Sequence, residues 1–180
     1  MQALYEGDVE RATSLLAPDT ELRAPEAAAF GRLERLQQLL GEDPANANAW
    51  ADDGFSALAL AIFGGQEEAA RLLIERGADL EAASRHETIR GIRPIHTAAF
   101  VRSAPLARLL LDAGADVNGR GEGGFTALHT AAQNGDVELA RLLLERGADP
   151  SLATGDGRRP ADMAQGGVAE LLPYGRTRAS

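Results

Sequence analysis

Three histidines are the places where proton transfer or metal binding would have to begin, and their surroundings in the sequence argue for a different job. His96 and His129 each sit in the middle of a short apolar stretch, GIRPIHTAAF and GFTALHTAAQ, and His86 lies in a polar segment, SRHETIR. A zinc site needs several convergent ligands, and one histidine per apolar stretch does not supply them. No Ser–His–Asp constellation can be assembled from linear spacing, although such triads are defined in space rather than along the chain. Cysteine is absent, which removes thiolate chemistry and disulfides; lysine is absent too, all 18 basic residues being arginine. That excludes a P-loop lysine and Schiff-base catalysis. The stretch GRGEGG at 119–124 matches G-x-G-x-x-G in form. A dinucleotide fingerprint needs a strand before it, a helix after it and an acid about 20 residues on, so turn glycines are the simpler reading. Acid pairs such as Asp52-Asp53 and Glu67-Glu68 read as solvated surface. No cofactor and no metal are expected.

The elements that would hold these residues are repeats. RLLIERGAD at 71–79 returns as RLLLDAGAD at 108–116 and as RLLLERGAD at 141–149. The GAD triplets are 37 and then 33 residues apart, and Gly54, Gly91 and Gly124 open the units at matching offsets. In the last full unit Ala127 to Gln133 makes a short first helix ended at Asn134-Gly135. Asp136 can cap a second helix, in which Val137, Ala140, Leu143 and Leu144 recur on one face, and Gly147 stops it. One such unit buries too little alone, so its apolar faces must stack on neighbours. The four extra residues of the longer spacing must lie in EAASRHETIR, 81–90. Arg102 occupies the position between the two helices where the other units carry glycine, a strained place for a side chain if φ is positive.

Glycine turn, T-P-L-H-like segment, A-A helix, glycine, L-L-L helix and G-A-D together resemble the ankyrin repeat. The resemblance implies an all-α solenoid of helix-turn-helix units with projecting β-hairpin loops. It further implies one domain over 1–172: an N-terminal half-repeat cap (1–20), a degenerate repeat (21–50), three repeats (51–87, 88–120, 121–153) and a shortened C-terminal cap (154–172), followed by a tail (173–180). In such repeats the T-P-L-H histidine is a structural piece joining a turn network with the threonine hydroxyl. Thr126 and His129 keep both partners, His96 faces Arg93 instead, and the first full unit has Ala59 in the histidine's place.

The resemblance also implies a non-catalytic module that meets a partner protein with its concave side, as adaptor, inhibitor or complex subunit. The positions concerned follow the turn glycine and the A-A pair. They hold Phe55, Ile92 and Phe125, and then Phe30, Phe63, Phe100, Val101, Gln133 and Asn134; Asp53, Arg90 and Arg93 flank them on the loops. All five phenylalanines of the chain fall in this set. A contiguous apolar strip would mark a contact site, whereas rings packed across the neighbouring layer would be core. Arg85, His86, Arg90 and Arg93 form a basic cluster that could grip a carboxylate or phosphate, or be a solvated loop. Trp50 reads as a brace for its hairpin.

Composition sets the remaining expectations. At 180 residues and 44% apolar content the chain can build one core, and with 4% aromatics that core must be mainly aliphatic. A net charge of −9 lacks the basic stripe that nucleic acid requires. The longest apolar run, ALALAIF, is too short to span a membrane. MQALYEGDVER shows no basic segment followed by an apolar one, so no secretion signal is expected and cytoplasmic residence is the default. The expected partner is a protein, with neither nucleic acid nor membrane, and a monomer is favoured. The alternatives are a self-associating structural protein, in which the strip buries against a second copy, and a small-molecule-binding protein or enzyme using His96 and His129.

Overall fold

The computed structural model describes residues 22–172, so the expected cap at 1–20 and tail at 173–180 lie outside the described residues. Helix pairs follow one another along the chain: α1 Ala24–Ala29 with α2 Leu33–Glu42, α3 Ala57–Phe63 with α4 Glu67–Glu75, α5 Pro94–Phe100 with α6 Ala104–Asp112, α7 Ala127–Gln133 with α8 Val137–Glu145, and the short α9 Pro160–Met163 with α10 Val168–Leu171. First helices stack in one layer, α1 on α3 on α5 on α7 on α9. Second helices stack in the other, α2 on α4 on α6 on α8 on α10. Leu36, Leu73, Leu110 and Leu143, all fully buried, recur through the second layer, and Ala27, Ala61, Ala98 and Ala131 through the first. Alanine there lets the first helices approach closely, and leucine fills the wider gap behind them.

Local chemistry explains where each helix begins. Ser56 Oγ accepts from the Ala59 N–H (3.2 Å), Ser103 Oγ from Leu106 N–H (3.3 Å) and Asp136 Oδ1 from Leu139 N–H (3.1 Å), each satisfying a first-turn donor. Pro105 sits in the first turn of α6, where its missing N–H costs nothing. The bend between paired helices needs a left-handed residue. Gly31, Gly65 and Gly135 supply it with φ of 62°, 68° and 64°, and Arg102 takes the same conformation at 57°.

The connecting loops are not β-ladders. Among the described residues the strand-like pairing is limited to two isolated bridges, Trp50 with Ser56 and Arg85 with Arg90. The second closes the four-residue insertion: Ser84 N–H donates to Ile92 O (2.9 Å), Gly91 N–H to Ser84 O (3.1 Å), and Ser84 Oγ to Ile89 O (2.6 Å). Loops are tied across repeats instead. Asn118 donates through Nδ2 to Gly147 O (3.1 Å) and accepts at Oδ1 from Asp149 N–H (2.8 Å). Asn48 makes the same pair of bonds to Gly77 and Asp79, and Glu81, two residues after its GAD aspartate as Asn118 is after Asp116, accepts from Asp116 N–H at 2.8 Å.

Candidate functional site

The side of the stack formed by the first helices and the loops before them carries an apolar groove of about 410 Å³. Three places in the fold furnish its wall. Phe63 and Phe100 come from the ends of α3 and α5, with Thr97 and Thr130 from the inner faces of α5 and α7; Phe55, Ile92 and Phe125 precede the first helices; Ile89 and Glu122 come from the loops. Phe63 and Phe100 stack with ring centroids 6.1 Å apart and planes 13° from parallel. They meet because the register that stacks Ala61 on Ala98 also superposes the last residues of their helices. Among the described residues the exposed large apolar side chains are Phe100 (66%) and Ile89 (48%), and both line this groove.

The five phenylalanines do not form one uniform strip. Phe30 and Phe55 are buried at 8% exposure each, in a satellite cluster with Ala29, Ala51, Ala59 and Leu60 against which Phe63 also packs. Of the two readings the sequence left open for the rings, these two are the packed one. The inserted loop adds a cover, since His86 lies 5.8 Å from the Phe55 ring. His86 is half-buried against that ring, and its Nδ1 accepts from Thr88 N–H at 3.2 Å. Phe63, Ile92, Val101 and Phe125 are half-buried, leaving Phe100 the most open ring.

The polar residues expected at the site divide in the same way. Asp53 Oδ1 accepts from Phe55 N–H (3.2 Å), so it shapes the turn. Asn134 Nδ2 donates to Ala99 O (3.4 Å) and ties α7 to α5, whereas Gln133 is exposed. Arg93 pairs with Glu81 (3.4 Å) and Arg85, though exposed, stacks on Trp50 at 3.8 Å, while Arg90 is exposed beside them. Trp50 does brace its hairpin, through that stacking and through the bridge to Ser56.

Both helix-start histidines are held by backbone at each nitrogen. His129 Nδ1 accepts from Thr126 N–H (3.1 Å) and lies 2.9 Å from Thr126 Oγ1, while Nε2 meets Arg158 O of the next unit at 3.1 Å. His96 repeats this with Arg93 N–H (3.1 Å) and Gly119 O (3.0 Å). A carbonyl partner requires the proton on Nε2 and leaves Nδ1 to accept, which is the neutral ring. Burial is the main force holding both imidazoles below the ordinary histidine range. The carbonyls of Gly119 and Arg158 oppose it, and the nearby charges of Arg93, for His96, and Arg120 and Arg158, for His129, reinforce it. These rings therefore stitch adjacent repeats together. The glycines of GRGEGG make the next turn, with Gly123 and Gly124 at φ of 66° and 80° and Gly121 N–H donating to Phe125 O (2.7 Å).

Beyond the structural His96, sequence reasoning missed the wall residues Ile89, Thr97, Gly121, Glu122 and Thr130, of which Ile89 and Glu122 come from the loops. Ile89 lies in the insertion, which follows no repeat register, and Glu122 reads in the sequence as one more surface acid among many.

Comparison with known proteins agrees with this architecture. A family model for ankyrin repeats in three copies matches residues 81–154, and a single ankyrin repeat model matches 53–85. Ankyrin repeat and SAM domain-containing protein 6 from Rattus norvegicus is 34% identical over 112 residues, 61% of this chain and 12% of that protein. A putative ankyrin repeat-containing protein of Treponema pallidum (strain Nichols) is 42% identical over 90 residues, 44% of this chain and 29% of the relative. The chain thus spans a minor part of the length of either. No helix among the described residues is long and apolar enough to cross a membrane. With stacked helix pairs, histidine-stitched turns and family matches that together run from residue 53 to 154, the chain belongs to the ankyrin repeat family, whose repeats generally serve as protein–protein interaction modules.

Proposed function

We propose that the chain is a non-catalytic binding module that docks a partner protein in its concave groove and works as an adaptor, inhibitor or complex subunit. The observation that carries this reading is the exposure of Phe100 at 66%, stacked on Phe63 and open over an apolar wall. Holding a benzyl group in water forfeits about 1.5–3 kcal/mol relative to burying it, and interface cores favour aromatics. Phe63, Ile92, Phe100 and Phe125 form the contact surface, with Val101, Gln133 and Arg90 at its margin. Phe30, Phe55, Asp53, Asn134 and Arg93 support it from beneath or beside. The described repeats act as one domain, a cytoplasmic monomer that engages neither nucleic acid nor membrane.

Capture from lysate tests this with wild type, Phe100→Asp and, on the opposite side, Arg108→Asp, all three verified as folded by circular dichroism. Phe100→Asp loses the captured proteins while Arg108→Asp retains them. Retention by folded Phe100→Asp would refute the docking surface. Light scattering on the same samples identifies the rival, because a wild-type dimer that Phe100→Asp makes monomeric would assign the groove to a second copy.

A further inference from the structure

We propose that the groove accepts a positively charged apolar group of the partner, a bulky aromatic or aliphatic body seated against Phe63, Phe100, Phe125 and Ile92 with its cation facing Glu122. This rests on the docking reading and adds the chemistry of the occupant. A purely apolar wall would accept any greasy group of the right size; the single acid in it is what discriminates.

Among the described residues Glu122 is the one charged member of the wall. It is exposed, and its Oε2 accepts only a long bond from Arg90 N–H at 3.4 Å. The His96 ring on the same wall is neutral by its hydrogen bonds, to Arg93 N–H and Gly119 O. Neighbouring cations are engaged elsewhere: Arg93 with Glu81 at 3.4 Å, Arg85 over Trp50 at 3.8 Å, and Arg120 with Ala153 O at 3.1 Å. Arg90, exposed beside the groove, is the residue that would favour an anion instead. Three features oppose it. Its side chain is not part of the wall, the phenyl faces there attract cations and not anions, and the whole chain carries −9. At about 410 Å³ the groove is at the small end of ligand-sized clefts, which run from roughly 300 to 1,000 Å³, enough for one large side chain with its charged neighbour.

The discriminating feature arises from the insertion. The loop 85–90 lays Ile89 over the groove and sets Arg90 N–H against the Glu122 carboxylate of the next loop, so the acid stands at the rim rather than pointing away.

Three probes with one phenyl body test the charge preference: phenethylammonium, phenethyl alcohol and 3-phenylpropionate. Each is titrated into the isotopically labelled full chain at low salt, following the amide resonances of Thr97, Gly121 and Thr130. Phenethylammonium is expected to bind about three-fold more tightly than the alcohol, the range of one exposed ion pair, and 3-phenylpropionate more weakly than both. Glu122→Gln should erase the difference between cation and alcohol while leaving the alcohol unchanged, and Phe100→Ala should weaken all three. An alcohol that matches the cation, an anion that binds best, a preference that survives Glu122→Gln, or shifts confined to amides away from the groove would each overturn the inference. A wild-type chain with no charge preference but with partner capture intact overturns this inference alone. A retained preference with no partner captured overturns the docking reading beneath it.

Discussion

Arg102 sits at φ 57°, alone among the described non-glycine residues in the left-handed region, where Gly31, Gly65 and Gly135 stand in the equivalent bends. A side chain there costs roughly 1–2 kcal/mol. Glycine removes that strain but brings a more mobile unfolded chain, which takes back about 0.5–1 kcal/mol. The arginine offers little in exchange. Its guanidinium is 3.9 Å from Asp136 and its side chain is 58% exposed, so the pair contributes a few tenths of a kcal/mol at most. Arg102→Gly should therefore stabilise by about 0.5 kcal/mol, a rise of about 1–2 °C in Tm for a chain of this size. Arg102→Ala is the control, because it deletes the ion pair and keeps the Cβ; it should be neutral or slightly destabilising. Guanidinium melts of the three proteins decide the matter. If glycine gives no gain, or alanine gives as much, backbone strain at 102 is not the cause.

Three further perturbations follow from the inter-repeat bonds. His129→Ala leaves the Thr126 N–H and the Arg158 carbonyl without their partner and should cost about 3 kcal/mol, read by denaturant unfolding; a loss under about 1 kcal/mol would contradict the stitching role. Asn118→Ala removes two bonds to the next loop and should cost about 1–2 kcal/mol in the same measurement, with an unchanged midpoint as the contrary result. Stability should also depend on pH through His96 and His129, whose folded-state pKa values lie below the ordinary one. The unfolded chain takes up protons as pH falls through about 6.5 while the folded chain does not. Stability is thus level above about pH 7 and falls below it by up to about 1.4 kcal/mol per pH unit for each ring. The lowered carboxyls of Asp149, Asp156 and Asp162 act in the same direction only further into acid. A flat profile from about pH 7 to about 5 would contradict the neutral, buried assignment.

The repeat frame was legible because stacking imposes the same demand on every layer. Leu73, Leu110 and Leu143 must all fill one gap, so the phrase containing them recurs. Helix caps such as Asp136, and the strained bend at Arg102, could be read for the same reason: a local rule fixes them. The site was legible only in part. Phe55 and Phe125 hold one register position, yet Phe55 is buried and Phe125 is not. The difference comes from outside the register. His86 of the insertion and Phe30 of the degenerate repeat close around Phe55, whereas Phe125 meets His129 of its own repeat, 5.6 Å between ring centroids. Ile89 stayed hidden because the fold of a four-residue insertion has no other copy to compare with, and Glu122 because nothing in its own turn sets it apart from the other surface acids. The role of Glu81, which takes the bonding place held elsewhere by Asn48 and Asn118, was masked by its different side chain.

Photo-crosslinking tests the location of binding most directly. A photoreactive amino acid is placed at position 100 in the groove, and in a second protein at position 108 on the far side. Irradiation of folded protein in lysate should yield a discrete adduct from position 100 that Glu122→Gln weakens, and none from position 108. Equal adducts from both positions, or an adduct from position 108 alone, would contradict a partner seated on the concave face.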